Sequence, residues 1–130
     1  MDRKIISTAG FFGMTAIILG AFGAHALKKV LNLEQLTTFE TGVKYQMYHA
    51  LFLLFLGVNQ QLTVKTKKTI LLLTTLGIIF FSGSIYLLST MSISSIDFKV
   101  IGFVTPIGGL LLAAAWSLLA FQFIKKKDKS

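Results

Sequence analysis

Four apolar runs without a charged residue dominate the chain, and short stretches containing lysine, arginine or glutamate separate them. The runs cover residues 5–25, 45–64, 69–90 and 100–124. A helix rises about 1.5 Å per residue, so roughly 20 residues cross a hydrocarbon core of about 30 Å. The runs therefore predict four transmembrane helices in a single integral membrane domain, residues 1–130. Because the connections between the runs are short, we expect an all-α fold, a four-helix transmembrane bundle with antiparallel, up-down order.

The segment between the first two runs also has a helical pattern. Asn32 followed by Gln35 is typical of a capping box at a helix start. Apolar residues then recur at intervals of three and four, at Leu36, Phe39, Val43 and Met47. This stripe predicts an amphipathic helical segment in the first outer loop. Two alternatives stay open: the helix continues into the second span, or it is a separate short helix broken at Gly42.

Small residues at helical spacing indicate where the spans pack closely. Helices in lipid gain little from burying apolar side chains, so close backbone approach through small residues favours their contact. The first span begins after Arg3-Lys4 and ends in Ala24-His25-Ala26, as a signal peptide does, but its small residues favour a packing helix. The glycines expected at helix contacts are Gly13, Gly20, Gly23, Gly83, Gly108 and Gly109.

Composition and charge agree with a membrane location. Hydrophobic residues form 54% of the chain and charged residues 14%, against about a quarter in soluble domains. The net charge of +8 comes from short basic clusters between the runs, which argues against a nucleic-acid partner. The chain has no cysteine, which excludes disulfides, thiolate metal sites and cysteine nucleophiles.

The distribution of basic residues predicts the orientation. With the N-terminus inside, the inner side carries Arg3, Lys4, Lys65, Lys67, Lys68, Lys125, Lys126, Lys127 and Lys129. The outer side carries only Lys28, Lys29, Lys44 and Lys99. Because basic residues concentrate on the cytoplasmic side of membrane proteins, we expect a multi-pass protein of the cell membrane with both termini cytoplasmic.

Polar side chains within the spans form the candidate site. In the expected topology, the unusual ones fall toward the outer side: His25, Tyr45, Gln46, His49, Ser82, Ser84 and Thr105. Such groups are costly to bury unless other residues supply hydrogen bonds. We therefore predict a buried or half-buried hydrogen-bonded cluster near the outer leaflet, with the two histidines as its least replaceable members.

Four motifs carry a family resemblance: Gly20-Ala-Phe-Gly-Ala-His25, Tyr45-Gln-Met-Tyr-His-Ala50, Phe81-Ser-Gly-Ser84 with Tyr86, and Thr105-Pro-Ile-Gly-Gly109. In order and spacing they closely resemble a family that includes the YwdK-like bacterial proteins and eukaryotic transmembrane protein 256. The resemblance covers essentially the whole chain. It implies a short, helical, multi-pass membrane protein with a domain of unknown function, and it implies no substrate, cofactor or catalytic residue.

Two classes of function stay open. A structural or membrane-organising bundle, which binds lipids, a second copy or another membrane protein, needs the fewest assumptions. The alternative is an oligomeric transporter or channel for a small solute or ion, with its polar site in the outer half. A metal site at His25, His49 and Glu40 is disfavoured, because intramembrane histidines more often anchor helix packing. An enzyme using Ser82 or Ser84 with His49 lacks an acid partner, so we expect no metal, cofactor or catalytic residue.

Overall fold

The computed structural model describes residues 2–90 and 99–126. Within these ranges the chain is helical and contains no strand. The long helices are α1 (Asp2–His25), α2 (Leu33–Val58), α3 (Val64–Ile78) and α5 (Val104–Lys126). Helix α3 continues through a π-helical segment (Ile79–Gly83) into the short α4 (Ser84–Ser89). Two 3-10 turns, Leu27–Lys29 and Lys99–Phe103, precede α2 and α5. Lys127 and Lys129 of the predicted C-terminal basic cluster lie outside the described residues.

Three described helical stretches are long and apolar enough to cross a membrane, whereas the sequence predicts four spans. They are Asp2–Lys29, Val64–Ser89 and Ile101–Lys125. Helix α2 has 26 residues, which is sufficient length, but it is not among the three. Its middle part contains Lys44, Gln46 and His49, which lower its mean hydropathy.

Helix α2 begins much earlier than the predicted second span. Its start has the predicted capping box, because the Gln35 amide donates to Asn32 Oδ1 at 2.8 Å and the Asn32 amide to Gln35 Oε1 at 3.0 Å. The helix passes through Gly42 without a break, which selects the first of the two alternatives. It ends at Val58 rather than near residue 64, because the Asn59 side chain accepts from the Gln61 and Leu62 amides and forms a turn.

Helices α1 and α2 lie side by side and run in opposite directions. Near one end, a methyl group added to Gly57 would lie 2.6 Å from Ile6. Near the other, one added to Gly23 would lie 3.0 Å from the Phe39 ring. The same register places α1 residues against α2 over the whole length of α1. The first predicted span thus lies against α2 along its length.

Helix α5 packs against α3 and the π-helical segment through glycines. A methyl group on Gly77 would lie 2.6 Å from Leu112, and one on Gly108 would lie 2.8 Å from the backbone carbonyl carbon of Phe80. Close approach to a backbone cannot be relieved by a side-chain rotation, so Gly108 is required where α5 crosses the π-helical segment.

The predicted packing glycines differ in how closely they are approached. Gly23 and Gly108 are at tight contacts, whereas Gly13, Gly20 and Gly109 have neighbours only at ordinary distances of 3.5–3.9 Å. Gly83 has no neighbour within 4 Å of an added methyl group, so its expected packing role is not what the structure shows. It is the last residue of the π-helical segment. Three tight positions were not predicted: Gly42, Gly57 and Gly77.

Candidate functional site

Gln46 links three helices in the protein interior. Its side chain is buried on α2, and its amide nitrogen donates to the Phe12 carbonyl at 2.9 Å and to Thr15 Oγ1 at 2.6 Å, both on α1. Its amide oxygen accepts from the Tyr86 hydroxyl of α4 at 2.6 Å. The amide is therefore satisfied on both sides by neighbouring helices, which offsets the cost of burying it.

His49 lies one helical turn further along α2, and both of its ring nitrogens are bonded. Nδ1 is 2.7 Å from the Tyr45 carbonyl, and Nε2 is 3.0 Å from Trp116 Nε1 of α5. A carbonyl can only accept and an indole N–H can only donate, so the proton is on Nδ1 and Nε2 is the acceptor. These two partners fix a neutral imidazole with no lone pair free for a metal ion or a reacting proton.

The π-helical segment and α4 direct their hydroxyls toward two different helices. The Ser82 hydroxyl donates to the Gly42 carbonyl of α2 at 2.7 Å and is buried. The Ser84 hydroxyl is hydrogen-bonded to the Thr105 hydroxyl in the first turn of α5. The wider turn of a π-helix changes which face successive residues occupy, and such segments often occur at functional positions.

We call these interhelical contacts the polar network; its members are Thr15, Gln46, His49, Ser82, Ser84, Tyr86, Thr105 and Trp116. The network extends from the first turn of α5 to the middle of the long helices. Thr15 lies near the midpoint of α1, and Trp116 lies near the midpoint of α5. The sequence placed the cluster at one outer level. The network extends deeper because α2 starts at Leu33, so Gln46 is in the middle of that helix and not in its first turn.

His25 does not join the polar network, contrary to the expectation that both histidines meet. Its side chain is exposed at the end of α1, beyond Gly23, whose neighbour on α2 is Phe39. Phe39 precedes His49 by ten residues, which corresponds to about 15 Å of helix. The antiparallel register of α1 and α2 therefore separates the two imidazoles.

Tyr45 contributes its backbone to the network and its ring to packing. Its side chain is 41% exposed and its ring contacts Phe81 with a centroid distance of 5.0 Å. Among the described residues no hydrogen bond joins its hydroxyl to the network. With His49, Phe81 and Trp116 it lines a largely apolar pocket of about 230 Å³.

A second polar contact joins the ends of three helices. The sequence interpretation considered its lysine only as part of the basic cluster that predicts the orientation. Lys67 is buried, and its ammonium donates to Asp2 Oδ1 at 2.9 Å and to the Asn59 carbonyl just after α2. Asp2 is at the start of α1 and Lys67 is in the first turn of α3. One lysine therefore ties α1, α2 and α3 together and satisfies a carbonyl at a helix end.

Comparison with known proteins identifies the family. Residues 19–109 match the family described as "Protein of unknown function (DUF423)". The chain belongs to the DUF423 family. No solved structure matches it.

Bacterial relatives support the DUF423 assignment. The chain is 39% identical to the UPF0382 membrane protein SH2409 of Staphylococcus haemolyticus, over 86% of this chain and 88% of the relative. It is 33% identical to the UPF0382 inner membrane protein YgdD of Escherichia coli K12, over 98% and 95%. A UPF0382 membrane protein of Haemophilus influenzae is 32% identical over 98% and 99%. The chain is thus a membrane protein, and the predicted resemblance to an uncharacterised membrane family is confirmed.

Most of the network lies within the part that matches DUF423, and Thr15 and Trp116 lie outside it. The sequence interpretation named neither of these two as a site residue. Trp116 is the only tryptophan and is near the middle of a predicted span, where an indole N–H needs a partner. That position could have indicated its role.

The described part of this DUF423 chain contains no group of three or more histidine, aspartate or glutamate residues placed to hold a metal ion. Glu40, the carboxylate considered for a site with the histidines, is exposed on α2. Together with the separation of His25 from His49, this geometry gives the histidine–glutamate site no support.

Proposed function

We propose that this DUF423 protein is a four-helix, antiparallel, multi-pass transmembrane bundle. The pairing of α1 with α2 and of α3 with α5 supports the up-down order. The contact of Gly42 with Tyr86 and the bond from Lys67 to the Asn59 carbonyl support opposite directions for α2 and α3. In such a bundle neighbouring helices alternate in direction and are joined by short turns.

Helix α2 is proposed to cross the membrane despite its lower hydropathy. It lies along α1 from Gly57 to Phe39, so a membrane that contains α1 also contains this part of α2. The buried side chains Gln46 and His49 have partners on other helices, and the long side chain of Lys44 can extend to the interface. The first residues of α2, around Glu34, then form the amphipathic segment outside the hydrocarbon core.

The proposed orientation places both termini in the cytoplasm. Arg3 and Lys4 begin α1, and Lys65 and Lys68 are in the first turns of α3, so the basic clusters of these two helices are at the same end. Concentration of basic residues at one end supports a cytoplasmic location for it.

The protein is proposed to act structurally, by organising lipids or a membrane partner, without enzyme activity. The observation that carries this proposal is the pair of hydrogen bonds that occupies both nitrogens of His49. A catalytic or proton-transferring histidine directs one nitrogen to the reacting group, whereas here Nδ1 is bonded within α2 and Nε2 joins α2 to α5. The hydroxyls of Ser82 and Ser84 are likewise bonded to other helices, so the network functions as interhelical contact.

The two histidines provide a matched experimental test. We expect His49→Ala to lower the free energy of unfolding in detergent by about 1–3 kcal/mol, because it leaves the Trp116 N–H without a partner and removes a buried imidazole. His25→Ala removes an exposed histidine and should change stability by less than about 0.5 kcal/mol. Thermal unfolding monitored by circular dichroism measures both.

Flux measurements distinguish the structural role from transport. Liposomes containing the wild-type protein should leak neither protons, potassium ions nor a small polar dye above protein-free liposomes. A leak that His49→Ala changes, while the protein remains folded, would contradict the structural proposal and support a transporter or channel.

A further inference from the structure

A groove between α1 and α3 combines charge at one end with an apolar wall. It has a volume of about 320 Å³, and we call it the basic groove; its lining residues are Lys4, Thr8, Lys68, Leu71, Leu72 and Thr75. Lys4 and Lys68 are near the starts of their helices, and the other residues follow deeper along the helices. The groove therefore changes from cationic to apolar in the direction of the membrane interior.

The cationic end is poorly neutralised by the protein itself. Among the described residues the carboxylate at this end is that of Asp2, and the buried Lys67 binds it. Arg3, Lys4, Lys65 and Lys68 then remain with no described acidic partner. The starts of α1 and α3 lie here as well, and the backbone dipoles add positive potential at a helix start. Basic residues in first turns oppose that dipole, so a bound anion would stabilise this end.

We propose that the basic groove binds one anionic phospholipid, with its phosphate at Lys4 and Lys68 and an acyl chain against Leu71 and Leu72. This proposal rests on the proposed membrane bundle and specifies its lipid partner. The wall favours a lipid over a soluble phosphate, because Leu72 is 59% exposed and would face acyl chains in a membrane. Lysines at a membrane surface attract anionic headgroups, and the inner leaflet carries them.

The test compares two double variants of the full-length protein that remove the same charge. Lys4→Gln/Lys68→Gln alters the basic groove, and Arg3→Gln/Lys65→Gln removes two exposed basic residues from the same helix starts outside the groove lining. Each variant is titrated in detergent with phosphatidylglycerol and with phosphatidylcholine of identical acyl chains. Native mass spectrometry counts the retained lipids, and circular dichroism verifies the fold.

We expect the wild type to bind phosphatidylglycerol more tightly than phosphatidylcholine, and the groove variant to bind phosphatidylglycerol roughly 30-fold more weakly. This factor corresponds to about 1 kcal/mol for each lysine near an anionic surface and 1.4 kcal/mol for each tenfold change. The control variant should lose less than about threefold, because its charges act only at a distance.

Three results would overturn the proposal. These are equal binding of the two lipids by the wild type, an equal loss in both variants, and displacement of the phospholipid by millimolar inorganic phosphate. The outcome is separate from that of the flux test. A leak with intact lipid selectivity contradicts only the structural role, and lost selectivity without a leak contradicts only the lipid site.

Discussion

Gln46 and Tyr86 show how single polar side chains are accommodated inside this protein. The Tyr86 hydroxyl donates to the Gln46 amide oxygen, while the amide nitrogen donates to α1. Interhelical hydrogen bonds in membranes contribute modestly, about 0.6 kcal/mol on average, but a buried group that loses its partner is costly. The contribution of each side chain to the free energy of unfolding therefore depends on the presence of the other.

A double-mutant cycle measures that dependence. We expect Gln46→Leu and Tyr86→Phe each to destabilise the protein by about 1 kcal/mol, because each removes the hydrogen bond between the two side chains. The double variant should cost less than the sum by about 0.5–2 kcal/mol, since neither partner remains. Unfolding in a denaturing detergent gives these free energies. Tyr48→Phe, on an exposed tyrosine of the same helix, is the control, and additive costs would contradict the coupling.

Residue types that form the network could be predicted from the sequence, but their partners could not. Gln46 and His49 are conspicuous because amide and imidazole groups are rare in apolar runs. Their partners Thr15 and Trp116 belong to distant parts of the chain. A sequence pattern shows which face a side chain occupies within its helix, whereas the pairing of two helices depends on where each one starts. His25 was misplaced for that reason.

The π-helical segment determines how α5 is positioned. Gly108 faces the backbone of Phe80 and Phe81, while its neighbour Gly109 has only the Phe81 ring near it, at 3.7 Å or more. Two adjacent glycines thus have different surroundings, although both were expected to lie at helix contacts. The helix start at Asn32 could be predicted because capping involves residues close in sequence. The close approach of two backbones involves distant residues and could not be predicted in this way.

These glycines form a matched pair for substitution. Gly108→Ala should destabilise the protein by about 1–3 kcal/mol, because the added methyl group forces α5 away from the π-helical segment. Gly109→Ala should be neutral or slightly stabilising, because its surroundings have room and alanine favours a helix. Thermal unfolding of the two purified variants in one detergent provides the comparison. Similar effects of both would show that this close approach does not limit stability.

The membrane topology of the whole molecule depends on whether α2 crosses the membrane beside α1. Apolar composition predicted the membrane location, which is confirmed, and indicated helices throughout. Composition could not decide whether α2 spans the membrane, because the polar residues that join α2 to other helices also lower its hydropathy. Hydropathy measures each segment alone, whereas a helix within an assembly needs only its lipid-facing side to be apolar.

Cysteine labelling tests this topology. The natural sequence has no cysteine, so single cysteines can be introduced without background labelling. We expect Val30→Cys, between α1 and α2, to react with a membrane-impermeant maleimide on intact cells, and Gln60→Cys, between α2 and α3, to react only after permeabilisation. Both positions are exposed in the structure. Reaction of both from the same side would show that α2 lies on the membrane surface.

Trp116 gives the protein an optical probe that requires no modification. It is the only indole in the chain, and it stands at the junction of α2 and α5 with its N–H on His49 and its ring 4.2 Å from that of Phe52. Emission excited selectively from tryptophan therefore reports on this junction. Separation of the two helices would change its wavelength and intensity, in a micelle and in a vesicle alike.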